Sequence, residues 1–151
     1  MGRTITEGSA TVRISKKNLN DWINLQDALI QKGIMTPSEQ QLQNLLGVYS
    51  TGLGIIAGYF ANPIVGIATT AVTLAPYFTI NEKAVLQSEV SNGTNWLNQQ
   101  VRWMDANPKY DQIEIKYPYI QYGLSDGSYI RFCTGLGVVT SVHGSGGWVV
   151  N

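Results

Sequence analysis

The spacing of apolar and polar residues along this chain changes twice. Ala10-Thr11-Val12-Arg13-Ile14-Ser15 puts Val12 and Ile14 on one side of an extended backbone, which predicts a short strand. From Lys16 to Lys32 the period is helical: Leu19, Trp22, Ile23, Leu29 and Ile30 form a stripe, and Asn18, Asp21, Gln26 and Asp27 point elsewhere. Gly33 stands where a glycine commonly follows a helix C-terminus. Thr36-Pro37-Ser38-Glu39 predicts the next helix start, with Thr36 as cap, Pro37 in the first helical position and Glu39 closing a capping box. That helix is expected to run from Pro37 toward Ala61. Asn62-Pro63 ends it, because proline removes a donor and restricts the residue before it. A further apolar helix is expected over Ile64 to Leu74, ended or kinked by Pro76. Asn81 to Met104 shows partial helical spacing, with a break predicted at Ser91-Asn92-Gly93 and a stop at Asn107-Pro108.

From Gln112 onward the period is two. Ile113, Ile115, Tyr117 and Tyr119 share one face, and Glu114 and Lys116 share the other. Ser125-Asp126-Gly127-Ser128 predicts a hairpin turn, since Asp-Gly readily adopts the positive φ angles such turns need. Strands are then expected at Tyr129 to Cys133, Val138 to Val142 and Trp148 to Val150. The whole predicts a single α+β domain over 1–151. Its mainly helical part, 10–107, holds an apolar helical hairpin at 40–81 beside amphipathic helices. These pack with a C-terminal antiparallel β-meander at 112–151, which the strand at Val12 extends.

The hairpin is the unusual feature. Between Glu39 and Glu82 there is no Asp, Glu, Lys, Arg or His, where about one residue in four is charged in an average protein. Each arm is about 17 residues, the lower edge for crossing a bilayer core of roughly 30 Å. Small residues recur at four-residue spacing, Gly54 with Gly58, Ala57 with Ala61 and Gly66 with Thr70, a pattern that lets helix backbones approach closely. Tyr49, Tyr59, Phe60, Tyr77 and Phe78 lie near the arm ends, as interfacial aromatics do. A hairpin buried inside a soluble core would lack charge equally well. Gly47, Gly54, Ile55, Gly58, Phe60, Asn62, Pro63, Gly66 and Ile67 are the residues expected to enter lipid if it is an inserting element.

Composition narrows the function classes. Hydrophobic residues make up 44% of the chain but charged residues only 13%, about half the usual share. Ten basic and ten acidic residues cancel, so no long-range field draws the protein to nucleic acid, and no nucleic-acid partner is expected. Cys133 is the only cysteine and His143 the only histidine, which excludes an internal disulfide and leaves too few ligands for a zinc site. No metal and no cofactor are expected. The N-terminus has no apolar h-region, so no signal peptide is expected in the chain. Met1-Gly2, with Thr6 following, reads either as a myristoylation signal or as a non-native start.

Conventional catalytic patterns do not emerge. Cys133 and His143 lie on neighbouring predicted strands and could be close, but Cys133 sits in an apolar strand that suggests a structural thiol. No Gly-x-Ser-x-Gly elbow precedes a helix, no phosphate loop occurs, and Asp105, Asp111, Glu114 and Asp126 are scattered. The dense aromatics of the β region, Tyr119, Tyr122 and Trp148 above all, suit cross-strand packing or a ligand platform.

An amphipathic helix, a Gly-rich apolar hairpin at Leu45 to Ile80 with a central Asn-Pro, and a Tyr-rich β tail at Ile113 to Trp148 together resemble small secreted bacteriocin-like proteins and toxins of Gram-positive bacteria. The resemblance implies a secreted, antimicrobial, non-enzymatic protein whose partner is a target-cell membrane, with the hairpin also a surface for self-association. The alternative is a soluble binding module. Its hairpin is only core, and its Tyr119, Tyr122 and Trp148 face takes a sugar or protein ligand.

Overall fold

The structure is a computed structural model that describes residues 3–48 and 64–151. Helices pack with a five-stranded antiparallel sheet, so the α+β class holds. Strand β1 spans Thr4–Ser15, well beyond the expected six residues. Its first half is exposed and shows no apolar alternation, so only its pairing partner reveals it. Thr4 lies opposite Gly123 and Ser15 opposite Gln112 on β2, Gln112–Gly123.

The other edge of β2 is shared. Strand β4, Val138–Gly144, pairs with Gln112 to Lys116, and β3, Tyr129–Cys133, pairs with Tyr119 to Gly123. The C-terminal segment is therefore not a meander, because β3 and β4 lie end to end along β2 instead of side by side. Pro118 sits between the two paired stretches, where a residue without an N–H costs the ladder nothing. Its carbonyl accepts a hydrogen bond from the Thr134 N–H at 3.1 Å. The buried side of β2 changes here as well, from Ile113, Ile115 and Tyr117 to Ile120 and Tyr122. Strand β5, Gly147–Val150, pairs with β4 and closes the sheet. The predicted turn forms, with Gly127 at φ 91° and the Asp126 carboxylate accepting from the Ser128 N–H at 2.9 Å.

Helix α1, Lys16–Ala28, is capped by Ser15, whose hydroxyl accepts from the Asn18 N–H. It runs directly into a π-helical segment, Leu29–Met35, so Gly33 is not a C-terminal cap. An added Cβ at Gly33 would lie 2.7 Å from the Ala71 Cβ, so its small size serves a close helix approach. Thr36 likewise closes the element before it, its hydroxyl donating to the Gln31 carbonyl at 2.7 Å. Ser38 takes the capping role for α2, Glu39–Val48, accepting from the Gln41 N–H at 3.4 Å.

Helix α3 covers Ile64–Leu74, the expected range, and Pro76 lies in a 3₁₀ turn, Ala75–Tyr77, that follows it. Helix α4 runs unbroken over Ile80–Ala106, started by a reciprocal Thr79–Glu82 capping box. The break predicted at Gly93 does not occur. Leu86, Val90, Gly93, Leu97, Gln100 and Met104 form one buried stripe, and an added Cβ at Gly93 would stand 1.9 Å from the Cys133 carbonyl oxygen.

Alanine at Gly93 must therefore push helix and strand apart, and we expect Gly93→Ala to lower unfolding stability by about 3 kcal/mol. Among the described residues, no packing neighbour of Gly66 in α3 has a heavy atom within 4 Å of such a Cβ, so Gly66→Ala should raise stability by about 0.5 kcal/mol through helix propensity. Urea unfolding of both variants checks the pair, and equal effects would contradict this packing.

Candidate functional site

The bases of the apolar arms belong to the core. Leu42 and Leu46 of α2 and Ile67, Ala68, Ala71 and Leu74 of α3 are buried in one cluster with α1, the π segment and the sheet. Ile67 is therefore a core residue of the folded protein. Gly47 is exposed and Gly66 half-buried, and among the described residues nothing lies within 4 Å of a Cβ added at either. The tight contact falls instead at Gly33 and Ala71. Gly54, Ile55, Gly58, Phe60, Asn62 and Pro63 lie outside the described residues. Among the described residues no helix is long and apolar enough to cross a membrane.

The three aromatic residues expected to form one ligand face are not brought together. Tyr119 and Tyr122 are an odd number of residues apart on β2 and so point to opposite sides. The Arg131 guanidinium stacks on Tyr119 at 3.8 Å, and Tyr122 packs edge-on against Phe78 at 4.8 Å between ring centres. Trp148 is on β5 beside His143, under the Arg13 guanidinium at 4.2 Å.

Cys133 and His143 are also separate. Cys133 lies opposite Tyr119 and His143 opposite Gln112 on the same strand, a separation of about 23 Å at roughly 3.3 Å per residue. Burial pushes the Cys133 thiol up to about 12, the reverse of an activated thiolate. His143 instead bonds the Asp111 carboxylate at 2.5 Å, and the Asp111 N–H donates to the His143 carbonyl. On the same face Glu114 accepts from Arg13 at 2.8 Å and from the Thr140 hydroxyl at 2.7 Å. The Arg13 bond, then the Thr140 bond, holds the Glu114 carboxyl below its ordinary value. These contacts tie β1, β2, β4 and β5 together on their outer face. Among the described residues no group of three or more His, Cys, Asp or Glu is placed to hold a metal ion.

A different site emerges where β1 and the C-terminal half of β2 meet the start of α4. A groove of about 360 Å³ is lined there by Ile5, Glu7, Asn81, Glu82, Val85, Leu86, Glu89, Ile120 and Tyr122. Leu86, Ile120 and Tyr122 form a buried floor, while Ile5 and Val85 are 51% and 58% exposed at its sides. One end is fixed by Arg3, which pairs with Glu82, donates to the Tyr77 carbonyl at 2.8 Å and lies over the Phe78 ring at 4.5 Å. Glu7 and Glu89 make no ion pair among the described residues. Burial first, and the Glu89 carboxylate second, push the Tyr122 hydroxyl up to about 12, so it keeps its proton. Sequence reading singled out only Tyr122 here. Arg3, Glu7 and Glu89 come from two distant segments and share no motif.

Neither family models, nor curated proteins, nor solved structures show a match to the chain.

The Asp111 carboxyl is held below its ordinary 3.8, chiefly by the hydrogen bond from His143. Its contribution to stability is therefore present above the unfolded-state value and fades as pH falls through the lowered folded value. An NMR titration should find the Asp111 midpoint higher in His143→Ala than in the unaltered protein; an unchanged midpoint would show that the pair does not form.

Proposed function

We propose that this is a secreted, non-enzymatic protein that acts on a target-cell membrane through the uncharged segment between α2 and α3. The observation that carries this reading is the absence of any charged residue between Glu39 and Glu82. Burying a charge in lipid costs several kcal/mol, so a chain that meets lipid benefits from such a stretch. The packing of α2 and α3 refines the reading. Leu42 and Leu46 of α2 and Ile67, Ala71 and Leu74 of α3 are buried in the core, so crossing of a bilayer by the full arms requires α2 and α3 to leave it.

Dye release from loaded liposomes tests this at neutral and mildly acidic pH. Gly58→Asp, which places a charge inside the uncharged segment, should abolish release while leaving the circular dichroism spectrum unchanged. Release at the wild-type rate by Gly58→Asp, or no release and no vesicle binding by the wild-type protein, would sink the proposal. Ile67→Asp is not a useful probe, because a carboxylate at that buried position unfolds the core by several kcal/mol.

A further inference from the structure

The groove between β1 and α4 carries carboxylates that make no ion pair among the described residues. Of the four ionic groups around it, Arg3 and Glu82 pair with each other, which leaves the carboxylates of Glu7 and Glu89 lining the same groove as Tyr122. Tyr122 is only 6% exposed, and its hydroxyl, which is not sealed from the groove's solvent, has no hydrogen-bond partner among the described residues, so it is available to a ligand there. The walls around these oxygens are apolar, with Ile5 and Val85 open to solvent on either side.

We propose that this groove binds the primary ammonium group of an aminophospholipid headgroup. A primary ammonium has three N–H donors and no acceptor, and the groove offers three acceptor groups for it: the Glu7 carboxylate, the Glu89 carboxylate and the Tyr122 phenol oxygen. Two negative charges at one groove select a cation and disfavour an anionic headgroup. Ile5, Val85 and Leu86 cover the methylenes next to the nitrogen. A quaternary ammonium fits less well, since it has no N–H for these oxygens. The site recognises a headgroup and leaves the hydrocarbon to the uncharged segment. It rests on the membrane reading above but uses different residues, so the two can fail separately.

Cosedimentation with phosphatidylcholine vesicles, with and without phosphatidylethanolamine, is the test, with hexylammonium titrated calorimetrically as the soluble probe. Phosphatidylethanolamine should strengthen vesicle binding about ten-fold, and hexylammonium should bind where hexanol does not. Glu7→Gln and Glu89→Gln should each weaken both by about five-fold, the upper range for a partly exposed ion pair. Tyr122→Phe, which keeps the ring against Phe78 and Arg3, should weaken both by a similar factor. Equal binding to the two vesicle types overturns the proposal, as does Gln-variant binding at the wild-type level. Hexylammonium binding without any phosphatidylethanolamine preference assigns the groove to a free amine and overturns the lipid source. Dye release by Gly58→Asp reports on the uncharged segment alone, and failure there leaves the amine titration to be read independently.

Discussion

The side-chain amide of Gln26 occupies the place of a missing strand, and the rest of the fold depends on it. Its oxygen accepts from the Cys133 N–H at 2.9 Å and its nitrogen donates to the Cys133 carbonyl at 3.0 Å. The same nitrogen approaches the Thr94 hydroxyl at 3.3 Å and the Val90 carbonyl at 3.4 Å. Gln26 is completely buried, and an unbonded amide there would cost about 1–3 kcal/mol, as would the stranded N–H of Cys133. Helix α1, helix α4 and strand β3 are thus joined at one residue. The joint closes only because Gly93 has no side chain to hold the helix away from Cys133.

From that joint the division of the sheet follows. Strand β3 ends at Cys133, where its backbone turns to Gln26 and Gly93 instead of to another strand, and the chain passes residues 134–137 before β4 resumes pairing on β2. Pro118 lies opposite this gap. Helix α4 runs the length of the divided edge, from Ile120 and Tyr122 near its start to Val139 and Val142 near its end. A single 27-residue helix can do this with one stripe because β2 changes its buried side at the same point.

The same arrangement separates the protein's two chemical surfaces. The outer face of the sheet carries compensated groups, Asp111 with His143 and Glu114 with Arg13, which bond one another and hold strands. The groove at the start of α4 carries Glu7 and Glu89, which make no ion pair among the described residues. In the first place charge is neutralised between strands; in the second it is left at a groove. The bases of the apolar arms, Leu42 and Leu46 in one and Ile67, Ala71 and Leu74 in the other, are part of the core itself.

Local periodicity was enough to read the α+β class, the limits of α3 and β3, the Asp126-Gly127 turn and the stop at Asn107, because each depends on neighbours within a few residues. The uncharged stretch is likewise a property of the sequence alone. Gly93 and Gly33 looked like a break and a cap, since a missing side chain reads the same whether the backbone bends there or another segment comes close. Thr36 could cap in either direction, and only its bond to Gln31 decided which. The first half of β1, the end-to-end pairing of β3 and β4, and the distance between Cys133 and His143 are fixed by hydrogen bonds between strands far apart in the chain. The groove was hidden for the same reason: Glu7, Glu89 and Tyr122 become one set of acceptors only when β1 and β2 pair and α4 packs beside them. Tertiary structure decided these points, because it alone sets which backbone faces which.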